Sequence, residues 1–208
     1  MWAGIHQLFL IPFVPKLLQR FDARLVIAVG ISLFSISCFM NADLTNLTGI
    51  DQLRWSQLVR AMGQPLIMVP LSGVATAGLA RSQAGSASGL FNMMRNLGGS
   101  FGIAILAILL TQREQFHSNR LGEGVLLFNP ATQQRVDELT QLFVSQGLDF
   151  ATAQAQAFRS IASIVSRESY VMAFNDCFHF IGFALLLSGV AVLFFKKVNP
   201  NAGAGGGH

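Results

Sequence analysis

The sequence predicts an all-α, polytopic membrane protein, and three observations lead to this fold class. Charged residues make up 12% of the 208 residues, about half of the roughly 25% that is usual for a soluble domain. Apolar residues make up 52%, and 18 Phe accompany a single Tyr. Long uncharged windows alternate with short charged clusters along the chain. This alternation is typical of several membrane-spanning helices.

Five windows are predicted to cross a bilayer, whose hydrocarbon core of about 30 Å requires about 20 residues of helix. They comprise residues 2–18, 25–42, about 55–80, about 87–111 and about 170–195. Four spans therefore lie within residues 1–111 and the last lies within 170–198. A long polar segment at 112–169 separates them, and the glycine-rich tail at 199–208 is expected to be disordered.

The short connections between these windows predict the orientation in the membrane. One side collects the basic residues Lys16, Arg20, Arg24, Arg81, Lys196 and Lys197. The loop at 43–54, on the other side, carries two Asp and one Arg. By the positive-inside rule the first side is cytoplasmic, so the C-terminus is cytoplasmic and the 112–169 segment is external. The net charge of +4 does not indicate a nucleic-acid partner, because the basic residues border apolar windows instead of forming a tract.

The external segment is expected to contain two amphipathic helices. Asn129-Pro130 is typical of an N-cap followed by proline in the first turn, and Gly147 is suited to ending that helix. A second helix is expected after Asp149. Apolar residues recur at helical spacing in both, namely Val136, Leu139 and Phe143, then Phe158, Ile161 and Val165. These helices lie on the surface of the membrane or of the bundle, or they form a substrate gate or partner-docking surface.

The run from Arg60 to Ala75 places Pro65 and Pro70 inside an apolar window. In lipid such residues are tolerated where neighbouring helices, hydroxyls or water satisfy the freed backbone groups. The run therefore indicates either a bent helix beside a transport cavity or a bent helix that only packs. In the first interpretation Gln64 lines the cavity and Arg60 lies near its external end.

The fourth window combines small and polar residues. Small residues four apart let helix backbones approach closely, and two such pairs are present, Gly85 with Gly89 and Gly98 with Gly102. Asn92 and Arg95 lie between the pairs, and a charge well inside a span costs at least about 2.5 kcal/mol on insertion scales. Arg95 and Asn92 are therefore candidates for a substrate pathway or a gate. The alternative is a hydrogen-bonded clamp between helices.

Few titratable side chains lie in the windows. Asp176 and His179 are three residues apart near the start of the fifth window, so they share a helical face and could pass a proton. The alternative is an interfacial Asp, favoured by the helix dipole, beside a packed His. His6 is either a buried polar group or a proton carrier, whereas His117 and His208 fall in the predicted loop and tail and carry little signal.

The sequence predicts neither enzymatic chemistry nor a metal site. It contains no G-x-S-x-G, H-E-x-x-H, C-x-x-C or P-loop pattern. Cys38 and Cys177 each lie in an apolar window and are expected to be small buried side chains with no disulfide.

Three stretches resemble one transporter family. The motif G-S-A-S-G-L-F-N-M-M-R-N-L-G-G-S-F-G, Gly85 to Gly102, resembles the penultimate span of fourteen-span EmrB/QacA-type drug:proton antiporters of the major facilitator superfamily. The run from Arg60 to Pro70 resembles the preceding span, and A-F-N-D-C-F, Ala173 to Phe178, is similar to the start of the last span. The resemblance covers essentially the whole chain and implies a partial C-terminal bundle, the last five of fourteen spans.

The turn from Pro15 to Arg24 also resembles the family's cytoplasmic turn, with two departures, the first of which is Pro15 in place of a glycine. Arg20, Asp22 and Arg24 match the family pattern, as do two neighbouring residues. Gln19 stands where the family has an acidic residue, so one partner for the two arginines is lost.

The resemblance also implies a function. It implies a proton-coupled multidrug efflux transporter in the lipid of the bacterial inner membrane, which uses the proton gradient and no bound cofactor. Its expected substrates are amphipathic or toxic small molecules. A periplasmic adaptor and an outer-membrane channel are the implied partners, and the external helices could contact the adaptor. Proton coupling in the family is expected to rest chiefly on acidic residues of the N-terminal bundle, which this sequence lacks. The alternative is a truncated membrane scaffold or partner-binding module without transport of its own.

Overall fold

The computed structural model describes residues 10–45, 48–76, 81–125 and 129–194. Within them a short 3-10 turn precedes the helices α1 (Val14–Arg20), α2 (Ala23–Met40), α3 (Ile50–Thr76), α4 (Arg81–Gly124), α5 (Pro130–Ser145) and α6 (Phe150–Leu193). No strand occurs in these ranges, and the all-α prediction is confirmed.

Three of the described helices are long and apolar enough to cross a membrane, namely α2, α4 from Gly85 onward, and α6. They coincide with the second, fourth and fifth predicted windows, so the prediction of a polytopic helical membrane protein is confirmed. The third window falls on α3, which has 27 residues but is not one of the three, because charged residues, glycines and prolines dilute its apolar content. Residues 1–9 of the first window, 77–80 of the third and the tail at 199–208 lie outside the described residues, so a total of five spans stays a prediction.

The chain divides into two compact units. The first unit comprises residues 1–43, 47–105 and 178–208, and the second comprises residues 44–46 and 106–177. Helices α1, α2 and α3 belong to the first unit and α5 belongs to the second, whereas α4 and α6 each contribute a part to both.

A close contact between α2 and α3 organises the first unit. Gly30 of α2 faces Gly63 of α3, and a Cβ atom added at Gly63 would lie 2.7 Å from the Gly30 carbonyl oxygen. A Cβ atom added at Gly30 would lie 2.9 Å from side-chain atoms of Leu66 and Ile67. The two backbones approach closely because neither glycine has a side chain. Helices in lipid associate through such contacts, since the surrounding acyl chains remove the hydrophobic driving force.

Helix α2 also packs against α6 through small residues. The buried Ser35 hydroxyl donates a hydrogen bond of 2.8 Å to the Gly182 carbonyl oxygen. A Cβ atom added at Gly182 would lie 2.9 Å from the Phe39 ring, and one added at Gly189 would lie 3.2 Å from Ile31. The three α2 residues follow one another at intervals of four, so they form a single stripe along the helix.

Helix α3 runs without interruption through both of its prolines. The side chains of Pro65 and Pro70 are fully buried. Among the described residues the prolines therefore contact protein, and the choice between a cavity lining and a packing helix for the run stays a prediction.

Helix α5, in the second unit, begins and ends at the residues that the sequence predicts. The Asn129 side chain accepts a hydrogen bond of 3.1 Å from the Ala131 backbone N–H, and Pro130 occupies the first turn. The chain leaves the helix through Gly147, whose φ of 97° lies in the left-handed region that glycine favours. One face of α5 is buried through Thr132, Val136 and Thr140.

Helix α6 begins directly after Asp149, whose carboxylate accepts a hydrogen bond of 3.0 Å from the Thr152 backbone N–H. Hydrogen bonding by Thr152 holds the pKa of the exposed Asp149 carboxyl below its usual range. The predicted second helix begins at this position. That segment is the N-terminal part of α6, which continues to Leu193, and α4 likewise continues past Thr111. The change in hydropathy marks the end of the apolar window, whereas a helix ends where the backbone is interrupted.

Candidate functional site

A polar cluster of the second unit joins α4 to α6. The His117 Nε2 atom of α4 lies 2.7 Å from the Asp176 Oδ2 atom of α6. The Arg113 Nε atom lies 3.5 Å from the same oxygen. Arg113 and His117 are four residues apart, so one face of α4 presents both to the carboxylate. A fixed cation and a titratable imidazole therefore share one acidic oxygen.

This cluster is partly shielded from water. The exposed fraction of the side chain is 19% for His117, 31% for Asp176 and 46% for Arg113. The Phe116 ring lies 5.4 Å from the His117 ring, and 5.9 Å and 5.5 Å from the guanidinium groups of Arg113 and Arg120. A cation over an aromatic face gains about 0.5–1 kcal/mol at an exposed site, so Phe116 restrains the arginines beside the cluster.

Asn175, the residue before Asp176, forms hydrogen bonds with the loop that follows α2. The Asn175 Nδ2 atom donates a hydrogen bond of 2.9 Å to the Leu44 carbonyl oxygen, and its Oδ1 atom accepts one of 3.2 Å from the Leu44 N–H. The side-chain amide thereby satisfies both backbone groups of one residue. Consecutive polar residues of the A-F-N-D-C-F motif thus bind two different segments of the chain.

The proton relay predicted between Asp176 and His179 stays a prediction, and the structure gives each residue a partner on another helix. Asp176 contacts His117 of α4 in the second unit. His179, in the first unit, lies edge-on to Phe39 of α2 with ring centroids 6.0 Å apart. Sequence reasoning set His117 aside because it placed that residue in a loop. The sequence did contain a signal for His117. Arg113 and His117 are basic residues four positions apart, just beyond the fourth apolar window, and Asp176 is the only acidic residue of the fifth window.

The predicted substrate-pathway residues lie on two helices, and their roles stay predictions. Asn92 and Arg95 are exposed on α4, and neither side chain makes a hydrogen bond or ion pair with another described residue. Gln64 is half-buried on α3. The Arg60 guanidinium lies 5.8 Å from the centroid of the Phe34 ring on α2.

The four glycines predicted to pack α4 contact nothing in the described chain. A Cβ atom added at any of them would find no atom within 4 Å, at Gly85, Gly89, Gly98 and Gly102 alike. The apolar window of α4 contains no buried residue. The glycines that pack helices in the described chain include Gly30 and Gly63 between α2 and α3, and Gly182 and Gly189 on α6, and sequence reasoning missed this packing because none of them forms a small-xxx-small pair.

The predicted cytoplasmic turn lies between α1 and α2. Arg20 ends α1, and Asp22 is the N-cap of α2, where its carbonyl oxygen accepts hydrogen bonds from the N–H groups of Leu25 and Val26. The Arg24 Nε atom is buried and has no hydrogen-bond partner within the described chain.

The fold and its apolar helices define a helical membrane protein, and the proteins to which the chain is similar are named for export or resistance. The chain is 25% identical over 95% of its length to the colistin resistance protein EmrB of Acinetobacter baumannii and 28% identical over 98% to the multidrug export protein EmrB of Escherichia coli K12. It is 22% identical over 99% of its length to the fatty acid resistance protein FarB of Neisseria gonorrhoeae.

The chain is a homologue of the EmrB-type multidrug export proteins, as the sequence motifs predicted. It spans about 38% of the length of each of these three relatives. No family model and no solved structure matches the chain.

Proposed function

We propose that this chain forms part of a transporter that exports amphipathic or toxic small molecules across the bacterial inner membrane in exchange for protons. The observation that carries the proposal is the similarity to proteins named for export or resistance, which covers 95–98% of the chain for two of them. The three membrane-crossing helices are consistent with it. No contact or comparison favours the alternative of a scaffold without transport.

In this proposal the exposed face of α4 belongs to the substrate pathway. Arg95 and Asn92 are its polar groups, and Gln64 and Arg60 of α3 extend it. A charged side chain in a membrane helix ordinarily faces the bundle interior or a water-filled cavity, because exposure to lipid is costly.

The proposed orientation places the C-terminus in the cytoplasm and residues 112–169, which belong to the second unit, on the external side. A cavity of about 310 Å³ lies between α5 and α6 in that unit, lined by Thr132, Gln133, Val136, Asp137, Gln154 and Phe158. This mixed polar and apolar surface is where we expect a periplasmic adaptor, itself joined to an outer-membrane channel, to bind.

The proposal is tested by efflux from cells that express the protein as its gene encodes it, with any flanking sequence retained. The probes are ethidium, colistin and a fatty acid, and accumulation is measured with and without a protonophore. We expect the protein to lower the accumulation of at least one probe, and the protonophore to abolish that effect. Accumulation equal to that of the empty vector for all three probes would contradict efflux.

A single substitution tests the substrate pathway. We expect Arg95→Ala to abolish efflux because it removes the fixed charge of the pathway, while the amount of protein inserted in the membrane stays unchanged. The matched control is Arg54→Ala. It also removes an exposed arginine, one that forms an ion pair with Asp51, three residues earlier on the same helix. Normal efflux by Arg95→Ala would remove this residue from the pathway.

A further inference from the structure

We propose that His117 and Asp176 together form a proton-binding site that supplements the acidic residues expected in the N-terminal bundle, with Arg113 as the positioning residue that holds the carboxylate. This inference rests on the proposed proton-coupled export and assigns it to residues. The geometry that carries it is one oxygen, Asp176 Oδ2, within 2.7 Å of the His117 Nε2 atom and 3.5 Å of the Arg113 Nε atom.

The residue types suit reversible proton binding. Imidazole is the side chain that ordinarily changes charge between about pH 5 and 8. A carboxylate at hydrogen-bond distance stabilises the added proton, and charge-assisted hydrogen bonds are roughly twice as strong as neutral ones.

The transfer step changes only bonds to the proton. When the imidazole is neutral, its Nε2–H donates to Asp176 Oδ2, so a proton from external water binds at His117 Nδ1 and the resulting imidazolium shares its Nε2 proton with the carboxylate. The same proton returns to cytoplasmic water after the transporter has changed conformation. No electron transfer or further reactant is needed.

The surroundings of the cluster hold it in one geometry. Among the described residues, the charged or titratable groups facing Asp176 are Arg113 and His117 from α4, and on its own helix the Cys177 thiol lies within electrostatic reach of Asp176 and Arg113. Asn175 binds both backbone groups of Leu44 and so holds the α6 turn that carries Asp176.

The contact of His117 with Asp176 distinguishes this site from a relay along α6. His179 is directed to the Phe39 ring of the first unit, whereas His117 reaches the carboxylate across helices. A proton shared between two helices changes the attraction between them. A proton shared within one helix would lack that link to conformation.

The test uses the protein as its gene encodes it, reconstituted in liposomes. The transported drug is ethidium, or another of the three probes if the efflux assay shows that probe to be exported. Two activities are measured, namely drug transport driven by an imposed pH gradient and exchange of drug against drug at equal pH. The variants are Asp176→Asn, His117→Gln, Asp176→Glu and His179→Gln, with Glu123→Gln, which changes an exposed carboxylate near the end of α4, as the matched control.

We expect Asp176→Asn and His117→Gln to lower gradient-driven transport by about tenfold or more, within the 5- to 150-fold range typical of coupled sites. Drug exchange should persist in both variants, and their apparent drug affinity should no longer vary with pH. Asp176→Glu should restore coupling. His117→Gln carries the test alone if Asp176→Asn does not insert in the membrane.

Three results would overturn the inference. Gradient-driven transport by both variants at the wild-type rate would do so, as would parallel loss of transport and exchange, which indicates a purely structural contact. Loss of coupling in His179→Gln with normal coupling in His117→Gln would assign the proton to the pair on α6. If the wild-type protein itself transports drug without any response to the gradient, the proposed proton coupling fails first and the inference fails with it.

Discussion

Two sets of glycines in the first unit differ in what lies against them. Gly30 and Gly63 bring α2 and α3 so close that an added methyl group at Gly63 would overlap the Gly30 carbonyl, at 2.7 Å. The α4 glycines follow the small-xxx-small pattern, yet an added methyl group at Gly85, Gly89, Gly98 or Gly102 would contact no described atom. The spacing of small residues therefore identifies a helix surface that can pack closely. It does not show whether another helix lies against that surface.

The two glycine surfaces also differ in their roles. The α2–α3 contact stabilises the chain, whereas the exposed α4 surface is the one that the proposed function requires. In lipid, close backbone contacts supply much of the attraction between helices. The α2–α3 contact supplies it within the described chain, whereas the bare α4 face carries Asn92 and Arg95, the polar residues of the proposed pathway. The following substitutions test this division in order of expected effect.

Gly63→Ala should cause the largest loss of stability. The new methyl group would overlap backbone atoms of α2, and overpacking of this kind costs about 1–3 kcal/mol. Cys38 and Cys177 are free and buried, so the reaction of a thiol-reactive dye during heating reports unfolding in detergent. Gly73→Ala, on the same helix but with no atom within 4 Å of the added Cβ, is the control. Equal melting temperatures for both variants would contradict the close α2–α3 contact.

Ser35→Ala should cause a smaller loss. It removes the 2.8 Å hydrogen bond to the Gly182 carbonyl oxygen, and hydrogen bonds between membrane helices contribute about 0.6 kcal/mol on average. Ser32→Ala is the matched control, because the Ser32 hydroxyl is exposed and bonds only to Ala28 within the same helix. The same dye assay distinguishes the two, and a larger effect at Ser32 would argue against the α2–α6 contact.

Gly98→Ala should cause no loss of stability. Alanine favours helix over glycine by about 0.8–1.0 kcal/mol in water, and no described atom obstructs the methyl group on α4. The melting temperature should therefore stay the same or rise slightly. A loss comparable to that of Gly63→Ala would mean that α4 is covered after all, and the division between the two glycine surfaces would fail.

The secondary structure was largely predictable from local signals. The N-cap at Asn129, the exit at Gly147 and the start of α6 after Asp149 were all predicted, because each depends on a few neighbouring residues. The continuity of α4 and α6 beyond their apolar windows was missed. Hydropathy was used there to locate helix ends, although it locates only the limits of apolar surface.

The candidate site was predicted only in part, since Asp176 was identified and His117 was not. The two residues are 59 positions apart, and their contact depends on the register between α4 and α6. The roles assigned to Arg95, Asn92 and Gln64 depend in the same way on which surfaces face them. No sequence pattern of a single helix contains that information.

The sequence by itself determined that this is an all-α membrane protein related to drug exporters. Scarce charge, long apolar windows and the Gly85–Gly102 motif are properties of the chain that no packing can change. Only the tertiary structure decided that Gly30 meets Gly63 and that His117 reaches Asp176. Those contacts depend on the rotation and register of whole helices, which are set by side chains far apart in the sequence.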